Sequence, residues 1–154
     1  METPTEAHYR NNVCAVIRRK SDGGVLVCHR VGSPPRQGWQ FPQGGVHSER
    51  ALVEELRREL REEIGTDRIK IIALSPQWYC YDFPKWVDAK PGYVGQRQRW
   101  VLAELEADES SIVVAQPNAE FDDYQWVTPK EALRRVVEFK RRVYERAMKD
   151  LGLL

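Results

Sequence analysis

Apolar and polar residues alternate along this chain with two different periods. Val13-Cys-Ala-Val-Ile17 and Val25-Leu-Val-Cys28 are short β-branched runs on either side of Ser21-Asp-Gly-Gly24, a turn signal that predicts a hairpin. Residues 68–81 and 97–105 predict two longer strands separated by a loop over 82–96, and 121–127 predicts a further short one. Between these lies a segment of helical period. Leu52, Leu56, Leu60 and Ile64 form one apolar row suited to a core, with Ser48 expected as N-cap and Gly65 as a left-handed C-cap. Thr128-Pro-Lys-Glu131 predicts a second helix start, with Thr128 as N-cap, Pro129 at the first position and Glu131 closing a capping box. That helix should run towards Leu151 with a break near 136–138. The order β, β, α, several β, then α predicts an α+β fold with a mixed sheet between helices. No repeat or low-complexity segment interrupts it, so one domain over 1–154 is expected.

The polar side of the first helix carries the candidate chemistry. Successive helical residues turn by about 100°, so Glu59, Glu62 and Glu63 stand one turn apart on one face, and Glu55 extends the row backwards. Like charges at i,i+4 cost about 0.2–0.5 kcal/mol per pair in an isolated helix. Arg58 is four residues from both Glu54 and Glu62 and offsets part of the charge. Three hard oxygen donors on one turn suit Mg²⁺ or Mn²⁺, which take carboxylates together with substrate phosphate oxygens. The ordinary alternative is a solvated acidic helix face. The Gly44-Gly45 turn before the helix, the Gly65 after it and the position of the acids at the rim of the apolar row favour a site.

Gly44, Arg58, Glu59, Leu60, Glu62, Glu63 and Gly65 fall in register on G-x5-E-x7-R-E-U-x-E-E-x-G-U, where U is a bulky apolar residue. The stretch therefore resembles the Nudix box. Two positions depart from it. Arg50 stands where the first box Glu belongs, with Glu49 one residue early, and Thr66 replaces the last apolar residue. In the family that first Glu braces the box Arg, so its loss bears on stability before chemistry. Glu54, at four residues from both Arg50 and Arg58, is the expected substitute brace.

Outside the box, Tyr9-Arg-Asn-Asn-Val13, Trp39-Gln-Phe-Pro-Gln-Gly-Gly45, Gly95-Gln-Arg-Gln-Arg-Trp100, Glu120-Phe-Asp122 and Val137-Glu-Phe-Lys-Arg-Arg-Val-Tyr144 are similar to the bacterial RNA pyrophosphohydrolases. Related dinucleoside polyphosphate hydrolases share much of the same pattern. The resemblance implies a Nudix αβα sandwich and assigns roles by position. Glu59, Glu62, Glu63 and Glu120 become metal ligands, joined by a backbone carbonyl near Gln43 and Gly44. Glu59 or Glu63 activates water. Arg10, Arg30 and Lys140 become phosphate contacts, Phe139 a base-stacking platform, and Tyr81 a further substrate contact. Taken singly, Glu120 would be a surface acid, Phe139 a core residue and Arg10 a terminal charge.

Composition narrows the choice of class. A chain with 42% hydrophobic and 31% charged residues can bury a core, and no apolar run reaches a membrane span. The polar start METPTEAHYR is unlike a signal peptide, so a cytoplasmic location is expected. Cys14, Cys28 and Cys80 lack metal-ligand spacing and read as reduced, mostly buried thiols; His8, His29 and His47 form no motif and read as structural or surface residues. Net charge is +1, yet residues 48–67 hold seven acids against four arginines while 129–150 hold eight bases against four acids. That segregation fits a polyanionic substrate. The leading expectation is a Mg²⁺-dependent enzyme acting on 5′-triphosphorylated RNA. Asymmetric cleavage of diadenosine tetraphosphate is the alternative enzyme reading, and a catalytically weak nucleotide sensor, suggested by Arg50, is a reading of another class.

Overall fold

In the computed structural model, which describes residues 8–89 and 91–154, the chain forms one eight-stranded mixed sheet between helices. The strands are β1 (Tyr9–Arg18), β2 (Val25–Arg30), β3 (Trp39–Gln40), β4 (Gln43–Gly45), β5 (Ile69–Leu74), β6 (Tyr79–Asp82), β7 (Gly95–Leu105) and β8 (Phe121–Val127). The helices are α1 (Leu52–Ile64), α2 (Pro129–Arg135) and α3 (Glu138–Asp150). The path through the sheet is β3-β2-β1-β7-β5, with β4 also on β1, β6 on β7 and β8 on β2. Only β1 and β7 are parallel among the paired strands; the hairpin turn brings Arg18 opposite Val25 as expected.

The residue pattern of β1 and β7 explains the layering. Val13, Ala15, Ile17, Val101, Ala103 and Leu105 pack with the apolar row Leu52, Leu56, Leu60 and Ile64 of α1. Cys14, Val16, Trp100 and Leu102 point the other way, onto Ala132, Val136, Val143, Tyr144, Ala147 and Met148 of the C-terminal helices. A strand covered on both faces reads as a continuous apolar run. Trp100, Phe41 and Tyr144 form the aromatic centre of the second layer, where the Tyr144 hydroxyl accepts a hydrogen bond from the Phe41 N–H at 3.0 Å.

Several boundaries differ from expectation, each for a local reason. The strand expected over 68–81 is two strands. Pro76 has no N–H for a ladder, and the Ser75 hydroxyl turns the chain by donating to the Gln77 carbonyl and accepting from the Trp100 N–H. Strand β7 therefore takes β5 and β6 in succession along one edge. The strands β3 and β4 have no periodicity of their own and exist through pairing with β2 and β1. Ser48 does not cap α1 directly; its hydroxyl accepts from the Arg50 N–H of a 3₁₀ turn, Glu49–Ala51, that leads into the helix. Gly65 ends α1 in the left-handed conformation, φ 79°. Thr128 caps α2, but Glu131 turns its carboxylate to Arg134 and Arg135 and leaves the capping box unclosed. The break between α2 and α3 falls at Val136 and Val137, where the backbone is extended. Cys14 and Cys28 are buried and Cys80 is exposed.

The join between β6 and β7 depends on Gly95. A Cβ there would overlap the Tyr81 carbonyl and crowd the Asp82 Cα at 2.9 Å, both of them backbone. Gly95→Ala should therefore lower the free energy of unfolding by about 1–3 kcal/mol, the usual scale of overpacking. Urea denaturation checks this, and an unchanged midpoint would show that the two strands separate at little cost.

Candidate active site

A buried amide network sets the position of the site. Gln98, on β7, donates to the Asn12 side chain of β1 and the Gln43 side chain of β4, each at 2.9 Å, and accepts from the Trp100 indole at 3.2 Å. The Gln-Arg-Gln-Arg-Trp pattern thus alternates amides inward and arginines outward. With β4 fixed in this way, Gly44 lies against the side chain of Glu59. A Cβ on Gly44 would overlap the Glu59 side chain, so the absence of a side chain is what admits the carboxylate. Arg10 lies against the next residue, with its Nη2 about 2.5 Å from where a Gly45 Cβ would stand.

The acids of α1 do not share one environment. Glu63 is 5% exposed, and neither carboxylate oxygen has a hydrogen-bond partner of normal geometry. Burial, then the neighbouring Glu120 and Glu59 carboxylates, push its pKa from 4.5 up to about 10, against a small opposing effect of the Gln43 backbone. Glu59 is half-buried and also raised, first by burial, with Arg58 opposing and Glu62 and Glu120 adding. Arg58 is its counter-ion at 3.3 Å and also reaches Glu62 at 3.6 Å. Glu62 faces solvent. Glu55 leaves the acidic row altogether, its carboxylate accepting from the His47 N–H at 2.7 Å. Glu120 is exposed just before β8, and the Val31 N–H holds its carbonyl at 2.9 Å.

The expected brace does not form. Among the described residues Glu54 pairs with neither Arg50 nor Arg58, because Arg50 sits in a 3₁₀ turn whose spacing does not stack it on Glu54, and Arg58 is drawn to the half-buried Glu59. The Glu49 side chain lies outside the described residues. Arg50 itself is exposed and makes no ion pair among them.

These groups fit a divalent cation in chemistry. Two orphaned carboxylate oxygens inside the fold are a large penalty unless protonated or bound by a cation, and the donors are hard oxygens that suit Mg²⁺-like ions. Among the described residues no three His, Cys, Asp or Glu side chains already converge as a closed cage. Burial and then the carboxylates of Glu120 and Glu59 raise the pKa of Glu63, burial with Glu62 and Glu120 raises that of Glu59, and Glu62 pairs with Arg58.

A cleft of about 610 Å³ opens beside the acids, on the side of α3. Gln43 lines it and links the two regions. Arg30, Tyr81, Phe139 and Lys140 line the same cleft. Lys140 is buried, its ammonium 3.3 Å from the Gln40 side-chain oxygen and about 6 Å over the rings of Tyr81 and Phe139. Burial and the Arg30 charge lower its pKa to about 8. Arg10 lies outside the cleft lining, between the acids and Tyr81, close enough to influence both Glu59 and Tyr81. The structure thus brings Gln43, Gly44, Glu59, Glu63 and Glu120 together, sets Arg30, Tyr81, Phe139 and Lys140 beside them, and leaves Glu62 on the outside.

Sequence reasoning missed two residues here. Gln96, buried in the cleft wall, donates to the Tyr81 hydroxyl at 2.6 Å, and its Oε1 has no partner. His29 holds an acceptor on each ring nitrogen, Asp122 at 2.6 Å and the Pro34 carbonyl at 2.9 Å. Both bonds together require the protonated ring; burial opposes that charge, but these partners hold the pKa above the ordinary histidine value. The ring ties the loop over 31–38 to β8, two residues beyond Glu120. Alternation could have exposed Gln96; nothing local marks His29.

An acid-bearing helix at the edge of a cationic, aromatic cleft, on a mixed sheet between helices, is an αβα-sandwich architecture suited to polyphosphates. The chain belongs to the Nudix family: residues 8–147 match the NUDIX domain. Members of that family are hydrolases that generally need divalent metal ions. The RNA pyrophosphohydrolase of Edwardsiella ictaluri is 42% identical over 151 residues, covering 94% of this chain and 82% of that protein. That of Pasteurella multocida is 40% identical over 150 residues, covering 94% and 74%. The fold is similar to the E. coli dihydroneopterin triphosphate pyrophosphohydrolase (TM-score 0.71, 19% identity, 92% of this chain and 98% of that one). It is also similar to a C. elegans Ap4A hydrolase (TM-score 0.64, 17% identity, 93% and 98%).

Glu63 predicts an inverted pH response. Its folded pKa is raised above the unfolded value, so its contribution is intact below about pH 4.5 and is lost as pH rises towards about 10. Metal-free protein should therefore melt at lower temperature as pH rises through that window. Glu63→Gln should melt higher than the wild type, by a margin that widens from pH 5 to pH 9 and shrinks when a divalent cation is added. Differential scanning calorimetry in chelator is the check, and equal melting curves at pH 9 would refute the assignment.

Proposed function

We propose that the chain acts as a single-domain, Mg²⁺-dependent RNA 5′-pyrophosphohydrolase, converting a triphosphorylated 5′ end to a monophosphorylated one. The observation that carries this reading is the continuity, through Gln43, of a carboxylate face with a cleft lined by Arg30, Tyr81, Phe139 and Lys140. Relatives about 42% identical over most of the chain, named RNA pyrophosphohydrolases, support it. Glu59, Glu63 and Glu120, with a carbonyl near Gln43 and Gly44, would hold the cation, and Glu62 would join them on leaving Arg58. Bound there, the ion supplies Lewis acidity and neutralises charge on the phosphate oxygens. Mn²⁺ suits the same donors.

The chain's own residues then divide the remaining work. Glu59 or Glu63 takes the proton of the attacking water. Water adds to phosphorus, the anhydride P–O bond breaks, and pyrophosphate leaves, or phosphate in successive steps. Arg10, Arg30 and Lys140 hold the phosphates, the arginines by forked contacts. Phe139 stacks a base, which a single-stranded 5′ end leaves free to do so.

Initial rates on 5′-triphosphorylated RNA and diadenosine tetraphosphate, at equal concentrations with Mg²⁺, test the substrate. RNA should be the better one; a tenfold preference for the dinucleotide would replace this reading with the dinucleoside polyphosphate hydrolase. Glu59→Gln and Glu120→Gln should each lower turnover at least about a hundredfold while circular dichroism stays unchanged. The sensor reading has its own control. Since Arg50 is exposed and unpaired among the described residues, Arg50→Glu should leave activity within about twofold, whereas a tenfold gain would mark the natural site as impaired.

A further inference from the structure

Trp86 has no place in the chemistry above, yet it stands at the mouth of the cleft. It lies in the segment between β6 and β7, which reaches towards the start of α3, and is 72% exposed. That is the greatest exposure of any large hydrophobic side chain among the described residues, and it leaves much of a wide aromatic ring open to a ligand. Its ring contact is Phe139, at 5.5 Å between centroids and 77° between planes. The neighbouring cleft residues Arg30, Arg36 and Arg141 are cations.

The angle between the rings decides what Trp86 can do. Two aromatic rings sandwich one base only when their planes are nearly parallel. At 77° the rings of Trp86 and Phe139 cannot clasp one base between them, so each offers a stacking plane of its own direction. The two rings are therefore separate stacking surfaces, turned to each other as successive unstacked bases of a single strand can be. Aromatic faces bordered by arginines suit a single-stranded nucleic acid, whose bases stack while its phosphates meet the cations.

We propose that Trp86 is a second base platform, receiving a nucleotide of the RNA other than the one stacked on Phe139. It makes the enzyme favour a polynucleotide end over a single nucleotide carrying the same triphosphate. This rests on the RNA reading above and adds a specificity residue to it.

The test compares wild type, Trp86→Ala and Trp86→Phe on a nucleoside 5′-triphosphate and on 5′-triphosphorylated RNA of two or more nucleotides. The ratio of kcat/KM for RNA over the single nucleotide should fall about 5- to 140-fold in Trp86→Ala, the equivalent of the roughly 1–3 kcal/mol of one stacked base. The change should lie mainly in KM, and Trp86→Phe should restore most of it. Quenching of tryptophan fluorescence by 5′-monophosphorylated RNA should contain a component absent from Trp86→Phe. An unchanged ratio, or an equal loss on both substrates, overturns the proposal, the latter because Trp86 would then merely brace Phe139. Absence of the quenching component overturns it too, whatever the rates. Wild-type rates judge the RNA reading separately, since they do not depend on the variants.

Discussion

The parallel pairing of β1 with β7, sealed by the Gln98 amide, governs this structure. Ten residues of β1 lie in register along β7, apolar towards both helical layers. Where the apolar run ends, the strands stay joined through buried amides. Gln98 reaches Asn12 and Gln43, and Gln96 reaches Tyr81. Buried amides must be satisfied, and here satisfying them fixes β4 and β6 to the central pair. Because β4 carries Gly44 and β6 carries Tyr81, one set of hydrogen bonds positions both the acid face and the aromatic wall.

The electrostatics follow from that placement. Gly44 lets Glu59 approach the strand, and the apolar row of α1 pulls Glu63 inward with it. Two carboxylates are thereby moved out of water near a third, an arrangement unfavourable to folding by itself. The protein offsets it locally: Arg58 attends Glu59, and a proton held to high pH attends Glu63. Lys140 shows the mirror case across Gln43, an ammonium whose charge burial weakens. Groups of both signs thus sit where burial shifts each towards its neutral form.

Much of this was legible in the residues. The period of Leu52, Leu56, Leu60 and Ile64, the cap at Thr128, the left-handed Gly65 and the break before α3 are local effects, and local pattern located them. The acids at one-turn spacing were equally visible. What pattern could not locate was anything decided by partners distant in sequence. β3 and β4 are strands only because β2 and β1 pair with them. Pro76 divides a stretch that alternates plausibly on both sides. Glu54 stood at the right interval to bridge two arginines, but a 3₁₀ turn and the pull of a half-buried carboxylate decided otherwise. His29 gave no signal, since its two acceptors come from positions 34 and 122.

The separation of the two layers carries a consequence for how such a protein can change. The acids depend on α1 and β4, whereas the cleft mouth is built by α3 and the segment between β6 and β7. Gln43 is the narrow neck between them. Substitutions at residues 83–88 can reshape what is admitted without moving the carboxylates, because no hydrogen bond of that segment runs to α1 among the described residues. A library confined to those positions would sample new specificities on an unaltered hydrolytic scaffold, so the architecture is evolvable in one half and held constant in the other.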